Sequence, residues 1–153
     1  KPDILCAGKA IGGGLPIGIT FARKDIMDSL KRGEHSNTFG GNPLTCAACT
    51  AAIDVILEDN LIENAKIMGD LFLNGFSKIE SKLIREVRGL GLMIGIEMRT
   101  EVRDIILKAL EKGVIVLESG RNIVRLLPPL IIKKEEVEKV VSVLKEVIES
   151  VKI

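Results

Sequence analysis

Lys9 is the first residue of this sequence that could carry chemistry, because it stands between a short apolar run, Ile4-Leu5-Cys6, and the triple glycine Gly12-Gly13-Gly14. At such a junction backbone can approach a ligand closely. Spacing alone favours a solvated surface lysine, and the glycine run matches no phosphate-loop pattern. A second candidate is Ser36-Asn37-Thr38-Phe39-Gly40-Gly41-Asn42-Pro43, which brings hydroxyls and unblocked amides to a helix start and so suits an oxyanion such as phosphate. The same residues also read as a capped loop feeding a buried helix. Arg125 lies in Asn122-Ile123-Val124-Arg125-Leu126-Leu127-Pro128-Pro129-Leu130. A guanidinium among apolar neighbours needs an anion, and its planar fork matches a carboxylate. An outward-facing place on an alternating strand explains the pattern too, and Arg88, in Val87-Arg88-Gly89, poses the same choice.

Other chemistries are disfavoured. His35 is the sole histidine, so a multi-histidine metal site cannot be built, and no metal is expected. Cys46 and Cys49 form a Cys-x-x-Cys inside an alanine-rich apolar run, which reads as core packing. The three cysteines, an odd number, fit free thiols in a reducing compartment. A net charge of +1, with Lys and Arg interleaved with Glu, gives no pull toward nucleic acid or an anionic membrane. No apolar stretch approaches the roughly 20 residues that span a bilayer, and the amino terminus lacks a signal-peptide layout, so a cytoplasmic protein is expected.

The elements that must hold these residues follow from pattern. The first 45 residues are rich in glycine and turn formers, with strands at Ile4-Leu5-Cys6 and Ile17 to Phe21 flanking the lysine and the glycines. Asn42-Pro43 supplies an N-cap and a proline at the first helical position, and the helix through Leu57 is apolar on nearly every side, which predicts burial. Asn60 and Glu63 have capping-box spacing for an amphipathic helix bearing Leu61, Ala65, Met68, Phe72, Phe76 and Ile79. Val87 to Glu97 alternates as a strand weakened by glycine. Thr100 caps and Gly113 ends a further helix with Val102, Ile105, Ile106, Ala109 and Leu110 on one face. Short strands at Val114–Leu117 and Asn122–Leu126 precede a last helix with Val137, Val140, Val141, Leu144, Ile148 and Val151 in a stripe. Strands interleaved with helices imply an α/β arrangement of two layers, with helices on one sheet.

Four segments in order, Lys9-Ala10-Ile11-Gly12-Gly13-Gly14-Leu15-Pro16-Ile17-Gly18, Asn37-Thr38-Phe39-Gly40-Gly41-Asn42-Pro43-Leu44, Val87-Arg88-Gly89-Leu90-Gly91-Leu92-Met93 and Arg125-Leu126-Leu127-Pro128-Pro129-Leu130, resemble the class III aminotransferases. The resemblance is nearest to the acetylornithine and ornithine aminotransferases and covers essentially the whole chain. It implies the carboxy-terminal part of a fold-type I pyridoxal-phosphate-dependent transferase. Residues 1–45 would then end the large cofactor-binding domain, and 46–153 would form the small α/β two-layer domain with its leading helix. Lys9 would hold pyridoxal 5′-phosphate as a Schiff base and shuttle the proton, work that needs a primary amine. Thr38 would bind the cofactor phosphate, of the partner subunit in a homodimer with its active sites at the interface. Asn37, where the family often has serine, would face the substrate, and Arg125 would hold a substrate carboxylate.

The implied reaction moves an amino group from an acetylornithine-like or ornithine-like donor to 2-oxoglutarate, in arginine or lysine biosynthesis. Alternatives are another class III enzyme, such as 4-aminobutyrate aminotransferase or glutamate-semialdehyde aminomutase, and a non-catalytic oligomerisation or scaffold unit. The family's partner for the cofactor's ring nitrogen, its stacking aromatic residue and its first phosphate loop all precede the lysine. Only eight residues precede Lys9, so the chain is expected to be inactive alone.

Overall fold

Residues 1–151 are described by the computed structural model, and they form two compact units, Lys1–Asp59 and a second that begins at Asn60. In the amino-terminal unit, β1 (Ile4–Ala7) and β2 (Ile19–Ala22) pair antiparallel, with Cys6 opposite Thr20. The second strand starts two residues later than the pattern suggests, because Ile17 folds over Gly12. A Cβ on that glycine would come within 2.8 Å of Ile17 Cγ2. A tight 3-10 turn, Lys9–Gly12, leaves β1, and Gly13 (φ 59°) follows it in the left-handed region that favours glycine. A one-turn helix α1 (Lys24–Met27) follows β2.

The helix α2 (Pro43–Glu58) starts where its signals place it, with Asn42 Oδ1 accepting from the Thr45 amide at 3.0 Å and Pro43 at the first position. Its expected burial is not observed. Only Thr45 and Cys49 are buried, while Leu44 is 70% and Leu57 60% exposed. The reason is local supply: one turn and a two-stranded ribbon offer too little apolar surface to enclose such a helix. Cys46 is accordingly exposed and Cys49 buried, both as free thiols, so the core reading of the pair holds for Cys49 alone. The division between the two units falls after α2. Ala48 and Ala52 explain where the helix belongs, since Gly13 rests on them, its missing Cβ 3.5 Å from Ala52 Cβ.

The carboxy-terminal unit is a four-stranded antiparallel sheet, in order β3 (Ile84–Leu90), β4 (Met93–Met98), β6 (Ile123–Leu126) and β5 (Leu117–Ser119). Its helices are α3 (Leu61–Ser77), α4 (Arg103–Glu111) and α5 (Lys134–Ser150). Ile94, Ile96 and Met98 of β4 with Val124 and Leu126 of β6 enter one core with Phe72 and Phe76 of α3, Ile105 of α4 and Val137, Leu144 and Ile148 of α5. Side chains alternate along a strand, so the intervening positions form the opposite face, which carries Glu86, Arg88, Gly95, Glu97, Ile123 and Arg125.

Three local expectations change in this unit. The single alternating stretch from Val87 to Glu97 is a hairpin, because Gly91 (φ 55°) turns the chain between Leu90 and Met93. Asn60 stands before α3 in the left-handed region (φ 51°), and its side chain makes no cap bond. Asparagine tolerates that conformation, and there it links α2 to α3. Thr100 does not cap α4, which begins after Val102. The stop is as expected: Gly113 (φ 76°) donates to Leu110 O at 2.9 Å and Val114 donates to Ala109 O at 2.9 Å, a Schellman closure. Among the described residues, no helix is long and apolar enough to cross a membrane.

Candidate active site

Lys9 has φ 56°, one of two non-glycine residues with positive φ among the described residues. A side chain in that conformation costs roughly 1–2 kcal/mol, and such strain is kept where surrounding structure enforces it, often at functional positions. Here the enforcing frame is the β1–β2 pairing on one side and, on the other, hydrogen bonds from Ile11 N to Gly8 O (3.3 Å) and from Gly13 N to Ala10 O (3.0 Å). Lys9 is exposed, and its amine makes no ion pair among the described residues.

The Asn37–Asn42 loop holds itself in shape. Asn37 Oδ1 accepts from the Phe39 amide at 3.0 Å, Gly40 N donates to Asn37 O at 3.3 Å, and Asn42 Nδ2 donates to Phe39 O at 2.9 Å. Thr38 is thereby exposed on a turn whose shape does not depend on its hydroxyl. Asn37, Gly40 and Asn42 line a cavity of about 500 Å³ with Pro16, Ile17 and Gly18. That cavity brings the loop to the segment after the glycine run, but neither Lys9 nor Thr38 lines it. His35 is an exposed loop residue, and among the described residues no cluster of His, Cys, Asp and Glu could hold a metal ion.

Arg125 belongs to the carboxy-terminal unit, where it lines a cavity of about 340 Å³ with Ile115, Leu117, Leu127, Pro128 and Pro129. Its Nε is buried and has no hydrogen-bond partner among the described residues. A buried charged donor left unpaired is costly, so the position fits an anion that arrives from outside the unit.

Arg88 resolves differently. Its Nη1 donates to Glu97 Oε2 at 2.7 Å and to Glu86 Oε2 at 2.8 Å, while Arg85 Nη1 donates to Glu97 Oε1 at 2.8 Å. The anion that Arg88 needs is internal. Glu97 went unnoticed in the sequence, where the only signal was an acidic residue in an apolar alternating run. Its side chain is 14% exposed, and the Arg88 hydrogen bond, with Arg85 beside it, holds its carboxyl below the usual carboxylate range. A lowered folded-state pKa contributes stability above the unfolded value, about 4.3 for Glu, and that contribution is lost as pH falls through the folded value. Thermal melts should therefore lose stability more steeply below about pH 4 in the unmodified chain than in Glu97→Gln. Parallel acid profiles for the two would remove Glu97 as a source of acid sensitivity.

Lys9 is thus strained on a glycine-flanked turn of the amino-terminal unit, and Arg125, on the sheet of the carboxy-terminal unit, has a buried Nε without a partner among the described residues. Residues 1–148 match the aminotransferase class-III family. The chain is 47% identical over 150 residues to ornithine aminotransferase 1 of Staphylococcus saprophyticus, covering 97% of this chain and 38% of that protein. It is 43% identical over 147 residues to the [LysW]-aminoadipate semialdehyde/glutamate semialdehyde transaminase of Sulfolobus acidocaldarius, covering 95% of this chain and 38% of that one. Ornithine delta-aminotransferase of Plasmodium falciparum superposes with a TM-score of 0.92 at 41% identity, over 97% of this chain and 40% of its own. Acetylornithine aminotransferase of Elizabethkingia anophelis superposes with a TM-score of 0.92 at 37% identity, over 99% of this chain and 40% of its own. The chain belongs to the class III aminotransferases, a pyridoxal-phosphate-dependent family, and spans about two fifths of the length of these relatives.

Proposed function

We propose that the protein containing this chain transfers an amino group from the side-chain end of an ornithine-like or acetylornithine-like donor to 2-oxoglutarate. The observation that carries the reading is Lys9 itself, an exposed amine held at φ 56° where glycine would be less strained. Pyridoxal phosphate, when bound, supplies the electron sink that makes the substrate's C–H bond acidic. Lys9 Nζ would bind its aldehyde carbon covalently and, when free of it, move a proton. Thr38, exposed on a preformed turn, would donate its hydroxyl to the phosphate, and the free Asn37 Nδ2 would face the substrate. Lys9 and Thr38 fit those parts of the group in chemistry and exposure.

Arg125 would receive a substrate carboxylate through its guanidinium, whose buried Nε has no partner among the described residues. The donor class is supported by the relatives' names, which share an amine or aldehyde at the side-chain end. Residues 1–45 would end the cofactor-binding domain, and 46–153 would form the small domain with its leading helix. We place the enzyme in the cytoplasm, as a homodimer with active sites at the interface, serving arginine or lysine biosynthesis.

Borohydride reduction of the full-length protein with its cofactor, followed by peptide mapping, tests this directly. The reduced adduct belongs on Lys9, and an adduct on another lysine would reject the assignment. Arg125→Leu should raise KM for 2-oxoglutarate on the order of 10²-fold, the loss of a charged hydrogen-bonded pair. An unchanged KM would remove Arg125 from the substrate site.

A further inference from the structure

Asn64 lies near the start of α3, and its half-buried side chain reaches the segment that leaves β6. Its Nδ2 donates to Leu130 O at 2.6 Å and to Ile132 O at 3.2 Å, so both hydrogens of the carboxamide go to one stretch of backbone. Both partners are carbonyl oxygens, which fixes the orientation of the amide, since only its nitrogen can face them. Asparagine is a poor helix former. Its place inside α3 is explained by what it ties across space, residues 66 and 68 positions further along the chain.

The tied segment lacks the usual means of holding a strand exit. β6 pairs with β4 on one side and β5 on the other, but Pro128 and Pro129 have no N–H with which to continue either ladder. A turn follows at once, with Ile132 N donating to Pro129 O at 3.0 Å. Ile132 is held by its buried side chain as well, whereas Leu130, next to the prolines, depends on the amide of Asn64. Each proline fixes its own φ, so two in a row make a stiff link between the strand of Arg125 and that tie point. The cavity that Arg125 lines has Leu127, Pro128 and Pro129 in its wall. A shift of the tie point therefore moves the wall and the end of the strand together.

We propose that Asn64 is a positioning residue: by holding the Leu130 and Ile132 carbonyls it fixes the Pro128-Pro129 wall, and with it the place of the Arg125 guanidinium against a substrate carboxylate. This rests on the reading of Arg125 as a carboxylate receptor. The bonds that do the holding are made wholly within the carboxy-terminal unit. Asn64 acts through Arg125, so its loss is read in carboxylate affinity, with kcat at saturation far less changed. The clamp cannot contribute more to binding than it is itself worth, which for a net hydrogen bond is up to about tenfold.

The test uses the full-length protein with its cofactor, glutarate as a dicarboxylate probe and 2-oxoglutarate as substrate. Asn64→Asp is nearly isosteric but sets an acceptor against two carbonyls, and it should weaken glutarate binding and raise the 2-oxoglutarate KM by about tenfold. Asn64→Gln keeps both donors on a longer stem and should stay within about threefold of the unmodified protein. Should Asn64→Asp fail to fold, Asn64→Ala, a better helix former, should show a loss of about fivefold. In an Arg125→Leu background, Asn64→Asp should add less than about twofold, because its route to the carboxylate is gone. A tie that only stabilises the fold would lower the melting temperature and leave glutarate affinity unchanged well below it. That result, full additivity of the two substitutions, or a kcat that falls as far as affinity would overturn the proposal. Arg125→Leu alone decides the reading beneath it: unaltered glutarate binding there rejects Arg125 as the receptor, and with it the role of Asn64.

Discussion

Lys9→Ala in the full-length protein should lower transamination by at least roughly 10³-fold, because it removes both the covalent anchor and the proton carrier, and the latter alone is worth about 10²–10⁴-fold. Folding should be untouched. Lys9 is exposed, and alanine at φ 56° is strained as lysine is. Lys9→Gly makes the argument sharper. Glycine relieves the left-handed strain and should stabilise the fold by about 1 kcal/mol, after allowance for its greater unfolded-state entropy, while activity is lost as completely as with alanine. A position where the more stable residue is the inactive one is held by function. Steady-state assays beside thermal melts decide it, and a Lys9→Ala enzyme with more than a tenth of the original kcat would end the catalytic assignment.

Gly69→Ala should destabilise the carboxy-terminal unit by about 3 kcal/mol, at the upper end of overpacking costs. A Cβ there would lie 2.2 Å from Gly91 O and 2.6 Å from Gly91 C, both backbone atoms of the β3–β4 turn. Neither can rotate away. Relief requires α3 to lift from the hairpin, which loosens Phe72 and Phe76 from Ile94 and Ile96 in the same core. Gly75 provides the contrast, since its Cβ would meet Val141 Cγ1 and Cγ2 at 2.9 Å, side-chain atoms that can turn. Gly75→Ala should cost about 1 kcal/mol, and the exposed Asp70→Ala should stay within about 0.5 kcal/mol of the starting protein. Urea melts of the three variants check the order. A Gly69→Ala chain as stable as Gly75→Ala would mean that the helix and hairpin separate at little cost.

The helices were the most legible part of the sequence, because their signals are short-range. Asn42-Pro43 marked the start of α2, Gly113 the end of α4, and the apolar spacing from Leu61 to Ile79 named the face that α3 buries. What a side chain meets across space was less legible. Asn60 and Glu63 had the right spacing for a capping box, but the backbone at Asn60 took the left-handed region and moved its side chain off the helix end. The hairpin inside Val87 to Glu97 was hidden because Gly91 turns the chain at a point where the apolar alternation continues through Leu92.

Of the candidate site, residue order alone marked Lys9, the Asn37-Thr38 loop and Arg125, since four ordered motifs carry the class III resemblance without reference to distance. The same sequence left Arg88 and Arg125 in equivalent positions, each an arginine in an apolar strand. Tertiary structure separated them. An irregular ladder between Ile84 and Glu86 carried Arg85 and Arg88 to Glu97, and Arg125 was left with a buried Nε that has no partner among the described residues. Motifs are written in the order of residues along one chain, whereas the pairing of charges depends on which strands lie side by side and in what register, and that is decided only when the sheet closes.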